Sequence, residues 1–237
     1  MEAVGMKVHL LINNEEVETE HYAEVRDPGR LTDVVGLCAQ GTAEHAAQAV
    51  RAAERAFLAW RQSSLEDRTE RLLKAADWLE READALAPLI AKESGMLPVF
   101  TLGEIRTAVQ VMRDTAELAQ TFFVPRQWED AESWISVEKR PIGVIVGIVP
   151  WNAPVILAMQ KLAPAVVAGN TIVFKPSPFA PLGISLVLKQ MAAMFPDGVI
   201  NVVHGGPEVG AALTTHRAVR KISFTGGGKV AQTIMRD

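Results

Sequence analysis

From Pro141 onward, short apolar runs alternate with longer amphipathic stretches, and few folds satisfy that alternation. The runs are Val144 to Val149, Thr171 to Phe174, Ile200 to Val203 and Lys221 to Phe224. Each is too short for a helix, and most are rich in β-branched residues, which favour strands. Between them, Val155 to Ala168, Leu182 to Met194 and Glu208 to Thr215 have helical length and pattern. Strand, helix, strand with right-handed crossovers predicts an α/β fold: a parallel sheet with helices on both faces. Such sheets bind ligands beyond the carboxyl ends of their strands. The segments that follow Val149, Phe174, Val203 and Phe224 are therefore the ones to search for chemistry.

The amino-terminal half has a different pattern. Val8 to Val17 reads as a β-hairpin turning at Asn13-Asn14. Thr42 can cap a helix whose Ala46, Val50, Ala53, Phe57 and Trp60 form one apolar stripe. Ser64 with Asp67 resembles a capping box opening a second helix, with Leu72, Ala75, Ala76 and Leu79 as its stripe. Gly95 marks its end and Pro98 suits the first turn of a third helix. Arg68, Arg71, Glu80 and Arg81 read as a solvated charged face. Trp128 to Arg140 carries an extended excursion around Trp134 to Val137, with no evident place in the helical layer.

Composition narrows the class further. Of 237 residues, 49% are hydrophobic and 22% charged, an ordinary balance for a globular protein with a sizeable core. A net charge of -4 argues against a nucleic-acid surface. The single cysteine, Cys38, permits no internal disulfide and favours a reducing compartment. The first residues show no secretory pattern. The best apolar run, Pro141 to Val173, is interrupted by Pro150, Asn152, Pro154, Lys161 and Asn170. Cytoplasmic location without membrane or nucleic-acid partners is the expectation.

The four strand-end segments carry the candidate groups. Pro150-Trp151-Asn152-Ala153-Pro154 places an amide donor, Asn152, where an oxyanion or carbonyl oxygen could be held; a simple turn asparagine is the alternative. Lys175-Pro176-Ser177-Pro178 puts a lysine at a strand end, able to donate to ribose hydroxyls or phosphate, or merely solvated. His204-Gly205-Gly206-Pro207-Glu208-Val209-Gly210 offers glycines for close backbone approach. His204 reads as a loop residue, and no second ligand stands at metal spacing from it. Phe224-Thr225-Gly226-Gly227-Gly228-Lys229 opens a helix whose free amides favour a pyrophosphate, with a flexible glycine turn as the rival. No Tyr-x-x-x-Lys pair follows Tyr22, the only tyrosine, which argues against a small complete reductase.

Taken together, these segments resemble the aldehyde dehydrogenase superfamily. The resemblance runs through Pro141-Ile142-Gly143-Val144, Ile148 to Pro154, Lys161, Pro164-Ala165 and Ala168-Gly169-Asn170-Thr171. It continues through Lys175-Pro176, Gly198-Val199-Ile200-Asn201 and Phe224-Thr225-Gly226. Asp27-Pro28, Phe57 to Trp60 and Arg68 extend it more weakly to the amino-terminal part. It implies a Rossmann-like cofactor domain built from a hairpin and helical part (residues 1–125) and a sheet (residues 141–237). Residues 126–140 would belong to an oligomerisation hairpin. The implied activity is oxidation of an aldehyde with NAD or NADP, through a cysteine thiohemiacetal that a glutamate helps to hydrolyse.

The resemblance also implies site roles. Asn152 matches the oxyanion asparagine; Val149, Pro150 and Trp151 line the cofactor. Lys175 matches a lysine on the adenosine ribose, with Ser177 and Pro178 in the same loop. Gly206 and Gly210 flank the adenine side, and Phe224, Thr225, Gly226 and Gly227 form the helix start under the pyrophosphate. Pro178 stands where many NAD-preferring members carry a ribose-gripping glutamate, which makes NADP admissible. Gly227 stands where the family often has serine. The family's nucleophilic cysteine and its glutamate fall beyond Asp237, and Cys38 reads as a packing residue. The expectation is therefore a chain that is inactive alone, with the rest of the enzyme supplied elsewhere. The alternative is a non-catalytic binding fragment or subunit completed by a separate chain, associating through the surfaces this leaves uncovered.

Overall fold

A computed structural model of the protein describes residues 6–236. The chain opens with β1 (Met6–Val8), β2 (Leu10–Ile12), β3 (Glu15–Val17), β4 (Tyr22–Asp27) and β5 (Arg30–Ala39). Three long helices follow: α1 (Ala43–Trp60), α2 (Leu65–Ser94) and α3 (Pro98–Phe122). A ribbon of β6 (Arg126–Glu129) and β7 (Trp134–Val137) leads into the alternating half. That half is β8 (Val144–Ile148), α4 (Pro154–Val167), β9 (Thr171–Lys175), α5 (Leu182–Ala192), β10 (Ile200–Val202), α6 (Pro207–Thr214), β11 (Val219–Phe224) and α7 (Gly228–Arg236).

The main sheet has the order β11-β8-β9-β10-β2-β3. Its β11-β8-β9-β10 part is wholly parallel, as the alternation requires. Side chains on these strands divide by parity. Val144, Val146 and Val173 face Ala46, Ala49, Val50 and Ala53 of α1 and Val209 and Leu213 of α6. Ile145, Ile172, Phe174, Ile200 and Val202 face the opposite layer of α2, α3, α4 and α5. Both faces are covered, so the strands read as continuous apolar runs rather than as alternating ones.

The hairpin forms as expected, with Asn13 and Asn14 at φ 58° and 62°, the left-handed pair that a two-residue turn between twisted strands demands. Its place in the fold differs from a separate leading element. Leu11 pairs antiparallel with Val202, so the hairpin extends the main sheet and makes it mixed. The run also splits at His9: β1 instead pairs in parallel with β5, which pairs antiparallel with β4 in a second sheet, β1-β5-β4. Strands β4 and β5 escaped the sequence reading because register shifts between Val25 and Asp27 break their alternation.

Local caps fall where the sequence puts them. Thr42 Oγ1 accepts from the His45 amide, and His45 Nδ1 takes the Thr42 N–H. Ser64 caps α2 through the Asp67 amide at 3.1 Å, but the box is only half made, because the Asp67 carboxylate turns to Arg71 at 2.9 Å. Gly95, at φ 73°, ends α2 in the left-handed conformation that glycine adopts without cost. The supposed charged face needs correction. Arg68 donates to the Val167 and Ser63 carbonyls, and Arg71 to the Met194 carbonyl, so the two bolt α2 to the end of α4 and to the turn after α5. Glu80 pairs with Arg113 of α3, and Arg81 is exposed. The guanidinium groups of Arg68 and Arg71 satisfy carbonyls at or just beyond helix ends, a use that charge pattern alone does not distinguish from solvation.

Candidate active site at the strand ends

Register decides which loops are neighbours. Phe224 lies beside Ile148, Ile148 beside Lys175, and Phe174 beside Val202. The four parallel strands therefore end in one row. Three backbone bonds carry the ladder past the strand ends: Thr225 to Ile148 O (3.1 Å), Val149 to Lys175 O (3.3 Å) and Val203 to Phe174 O (2.9 Å). The thirteen residues singled out from sequence, from Val149 to Gly227, all lie along this edge or in the first turn beyond it.

In the first loop, Trp151 and Asn152 are exposed while Val149 is buried. Helix α4 begins just after them, yet its N-cap, Ala153, has no side chain to offer its free amides. Glu104 of α3 supplies the acceptor: its Oε1 takes the Val155 and Ile156 amides at 2.7 and 3.1 Å. Burial raises the Glu104 carboxyl above the usual carboxylate range, and the two backbone bonds oppose that rise. Asn152 thus stands on a helix start pinned from another element. Glu104 carries no local sequence signal, because its partners lie 51 and 52 positions away.

In the second loop Lys175 is half-buried. Burial pulls its ammonium down from the usual lysine range, against Cys38 and Glu208, which push it up. A Cβ on Gly210 would lie 3.8 Å from Lys175 Cδ and Cε, so the lysine stem runs across the first turns of α6. Ser177 Oγ accepts from the Phe179 amide at 3.3 Å, and Pro178 and Phe179 are exposed. Where this loop meets the first, a cavity of about 550 Å³ is lined by Trp151, Pro178, Phe179, Leu31 and Glu93.

In the third loop His204 lies between β10 and α6, a loop residue as read, but it is buried, 2% exposed. Its Nε2 lies 3.0 Å from Ser185 Oγ, and Ser185 also reaches the Pro181 carbonyl. If Ser185 donates to that carbonyl, it accepts from Nε2–H, which leaves Nδ1 bare and without a partner among the described residues. Burial, with Lys175 nearby, pushes the imidazole down to about 3, so it is neutral near pH 7. Gly205 takes φ 147°, and Gly206 caps α6 in extended conformation without a side chain.

In the fourth loop the Lys161 ammonium, from α4, donates to Thr225 Oγ1 at 2.7 Å. Lys161 is only 8% exposed, and burial lowers its pKa. A Cβ on Gly226 would meet the Phe224 ring at 2.6 Å, whereas one on Gly227 or Gly228 would meet nothing. The serine common in the family would fit at position 227. Among the described residues, no group of three or more His, Cys, Asp or Glu is placed to hold a metal ion.

Cys38 lies in β5, 2% exposed, packed with Val8, Val25, Val35 and Leu182. Burial, with the Glu93 carboxylate, pushes its thiol up to about 12, and Lys175 only partly offsets this. It is closer to Lys175 than its place in sequence suggests. It has no thiolate character near neutral pH.

Comparison with known proteins shows the family and the fold. The model of the aldehyde dehydrogenase family matches residues 15–237. The chain is 32% identical to a salicylaldehyde dehydrogenase of Pseudomonas sp. (strain C18), covering 97% of this chain and 49% of that protein. It is 35% identical to a betaine aldehyde dehydrogenase of Vibrio vulnificus, covering 81% and 40% respectively. The chain therefore spans about half the length, or less, of these relatives. Among solved structures, a salicylaldehyde dehydrogenase from Pseudomonas putida G7, complexed with salicylaldehyde, superposes with TM-score 0.92 at 30% identity over 98% of this chain and 49% of that one. The betaine aldehyde dehydrogenase of Staphylococcus aureus in complex with NAD+ gives 0.91 at 30% identity over 96% and 46%. With a family match over residues 15–237 and TM-scores above 0.9 to these structures, the chain belongs to the aldehyde dehydrogenase family.

Proposed function

We propose that residues 1–237 form the dinucleotide-binding half of an NAD(P)-dependent aldehyde dehydrogenase and hold its oxyanion donor, Asn152. The observation that carries this reading is the single row of strand ends, with Lys175 and the glycine turn at 226–228 two strands apart on it. The glycines leave room for close approach of a pyrophosphate to the start of α7. Gly206 and Gly210 leave an open wall beside Lys175 for the adenosine end. Val149, Pro150 and Trp151 line the middle, with Ser177 and Pro178 at the ribose and Phe224 at the base of the glycine turn. The NAD+ complex of the Staphylococcus relative supports a nicotinamide dinucleotide as the ligand. When bound, that cofactor accepts hydride from the aldehyde carbon.

The chain's own contribution is positional and electrostatic. Asn152, fixed on the start of α4 by Glu104, offers an amide N–H to the oxygen of the carbonyl under attack. Lys161 holds Thr225 at the turn nearest the pyrophosphate. The attacking sulfur comes from outside residues 1–237, from a continuation of the polypeptide or from a second chain, because Cys38 is buried and its thiol sits at about 12. One face of the β6–β7 ribbon carries Trp128, Ile135 and Val137, each more than half exposed, and is the surface through which copies associate.

Titration of the purified protein with NADH, followed by its fluorescence, tests the binding role. Lys175→Ala is expected to weaken binding by about tenfold, the loss of one charge-assisted hydrogen bond. An unchanged dissociation constant would remove the lysine from the site. The exposed Pro178 offers no carboxylate to repel a 2′-phosphate. NADPH is expected to bind within about tenfold of NADH, and Pro178→Glu to weaken NADPH selectively by roughly that factor. Exclusion of NADPH by the unmodified protein would count against this account of specificity.

A further inference from the structure

Helix α5, which follows the Lys175 loop, lacks a cap of its own: its N-cap, Pro181, has no side-chain acceptor. The free amides of Leu182 and Gly183 are taken instead by Glu93, at the far end of α2. Its Oε2 accepts from Leu182 and its Oε1 from Gly183, both at 2.7 Å. Glu93 is 1% exposed. Gly183 permits this approach: a Cβ there would sit 2.2 Å from Ile90 Cγ1 and 3.1 Å from Glu93 Oε1.

Lys175 to Pro181 therefore hangs between two anchors, the strand ladder at one end and this carboxylate at the other. We propose that Glu93 is a positioning residue for the dinucleotide site, holding the Lys175–Pro181 loop in its binding shape so that cofactor affinity follows the charge on this one side chain. The inference rests on the reading of that loop as the ribose-binding loop. The carboxylate accepts from both amides; once protonated, one oxygen becomes an O–H donor and faces an amide donor. That end of the loop then loses a charge-assisted bond.

The protonation change falls in an accessible range. Burial pushes the Glu93 carboxyl up to about 7, while its two backbone bonds hold it down. Its neighbours do not compete there. Cys38 of β5, at about 12, stays a thiol, and His204, at about 3, stays neutral. Glu24 and Arg26 of β4, on the same cavity, pair with each other in solvent. Lys92, next to it on α2, is exposed. Lys175 is pulled down by burial, and bound phosphate or ribose would pull it back up, so it contributes proton uptake at alkaline pH. Glu93 contributes the opposite sign, because binding that favours its ionised form releases a proton where it is partly protonated.

The test is NADH titration of the purified protein from pH 6 to pH 8.5, with calorimetry at pH 7 in buffers of different ionisation enthalpy. Affinity is expected to tighten about three- to tenfold between pH 6 and pH 8, with net proton release at pH 7. In Glu93→Gln one amide of α5 faces an NH2 group; affinity is expected to stay at the weak limit and lose its pH response. A flat profile with no proton release in the unmodified protein, or a variant that keeps the full response, would overturn the proposal. Should the variant fail to fold, the profile and proton count of the unmodified protein decide. Absence of NADH binding at every pH would instead overturn the dinucleotide reading on which the proposal stands.

Discussion

Purified residues 1–237, given a short-chain or aromatic aldehyde and NAD+, are expected to form no NADH above the protein-free rate. The chemistry needs a sulfur anion beside the carbonyl that Asn152 would hold. This sequence has one sulfhydryl, and the fold encloses it in an apolar cluster with Val8, Val25, Val35 and Leu182. With its thiol at about 12, the thiolate fraction at pH 7 is on the order of 10⁻⁵ of the total, and solvent access is almost nil. The measurement is absorbance at the NADH band with enzyme-level protein, repeated with Cys38→Ser. A robust rate lost in the serine variant would show that β5 opens to the site and would sink the assignment of Cys38 as packing. Restoration of turnover by adding the carboxyl-terminal half of a relative would support the proposed division of labour.

The second large effect concerns the floor of the site. Phe174, the residue before Lys175, is fully buried, and its ring folds over Gly147 on the neighbouring strand. A Cβ on Gly147 would meet that ring at 2.8 Å, so ring and glycine are fitted to each other. Phe174→Ala is expected to lower unfolding free energy by about 3–5 kcal/mol, because Gly147 offers no side chain to collapse into the space. Urea unfolding followed by far-UV circular dichroism would show the midpoint fall with the slope unchanged. A loss below about 1 kcal/mol would mean that the layer repacks freely and that the ring does not set the level of the Lys175 loop.

Much of this was legible in the sequence, and the legible part has a common character. The Asn13-Asn14 turn, the Thr42 and Ser64 caps, the Gly95 stop and the four strands of the alternating half are all written within a few residues of themselves. So were the loops worth searching, because a parallel sheet always presents its carboxyl ends together. The pattern failed where a residue's partner is remote. Strand β1 left its hairpin for β5, and β4 and β5 hid behind register shifts. Arg68 and Arg71 resembled solvent-facing charges, yet each serves a carbonyl 99 or 123 positions away.

The sequence by itself determined the periods of its segments, the local signals that start and stop them, and the identity of the groups at four strand ends. These follow from dihedral preference and from hydrogen bonds that close within a turn. Only the tertiary structure decided which strand ends are neighbours, in the order β11-β8-β9-β10, that His204 and Cys38 are buried, and that Glu93 and Glu104 cap the helices beside the Lys175 and Asn152 loops. The N-caps of α4 and α5, Ala153 and Pro181, offer no side-chain acceptor, so the free amides of these helices had to be met by whichever carboxylate the packing of α2 and α3 brought within reach.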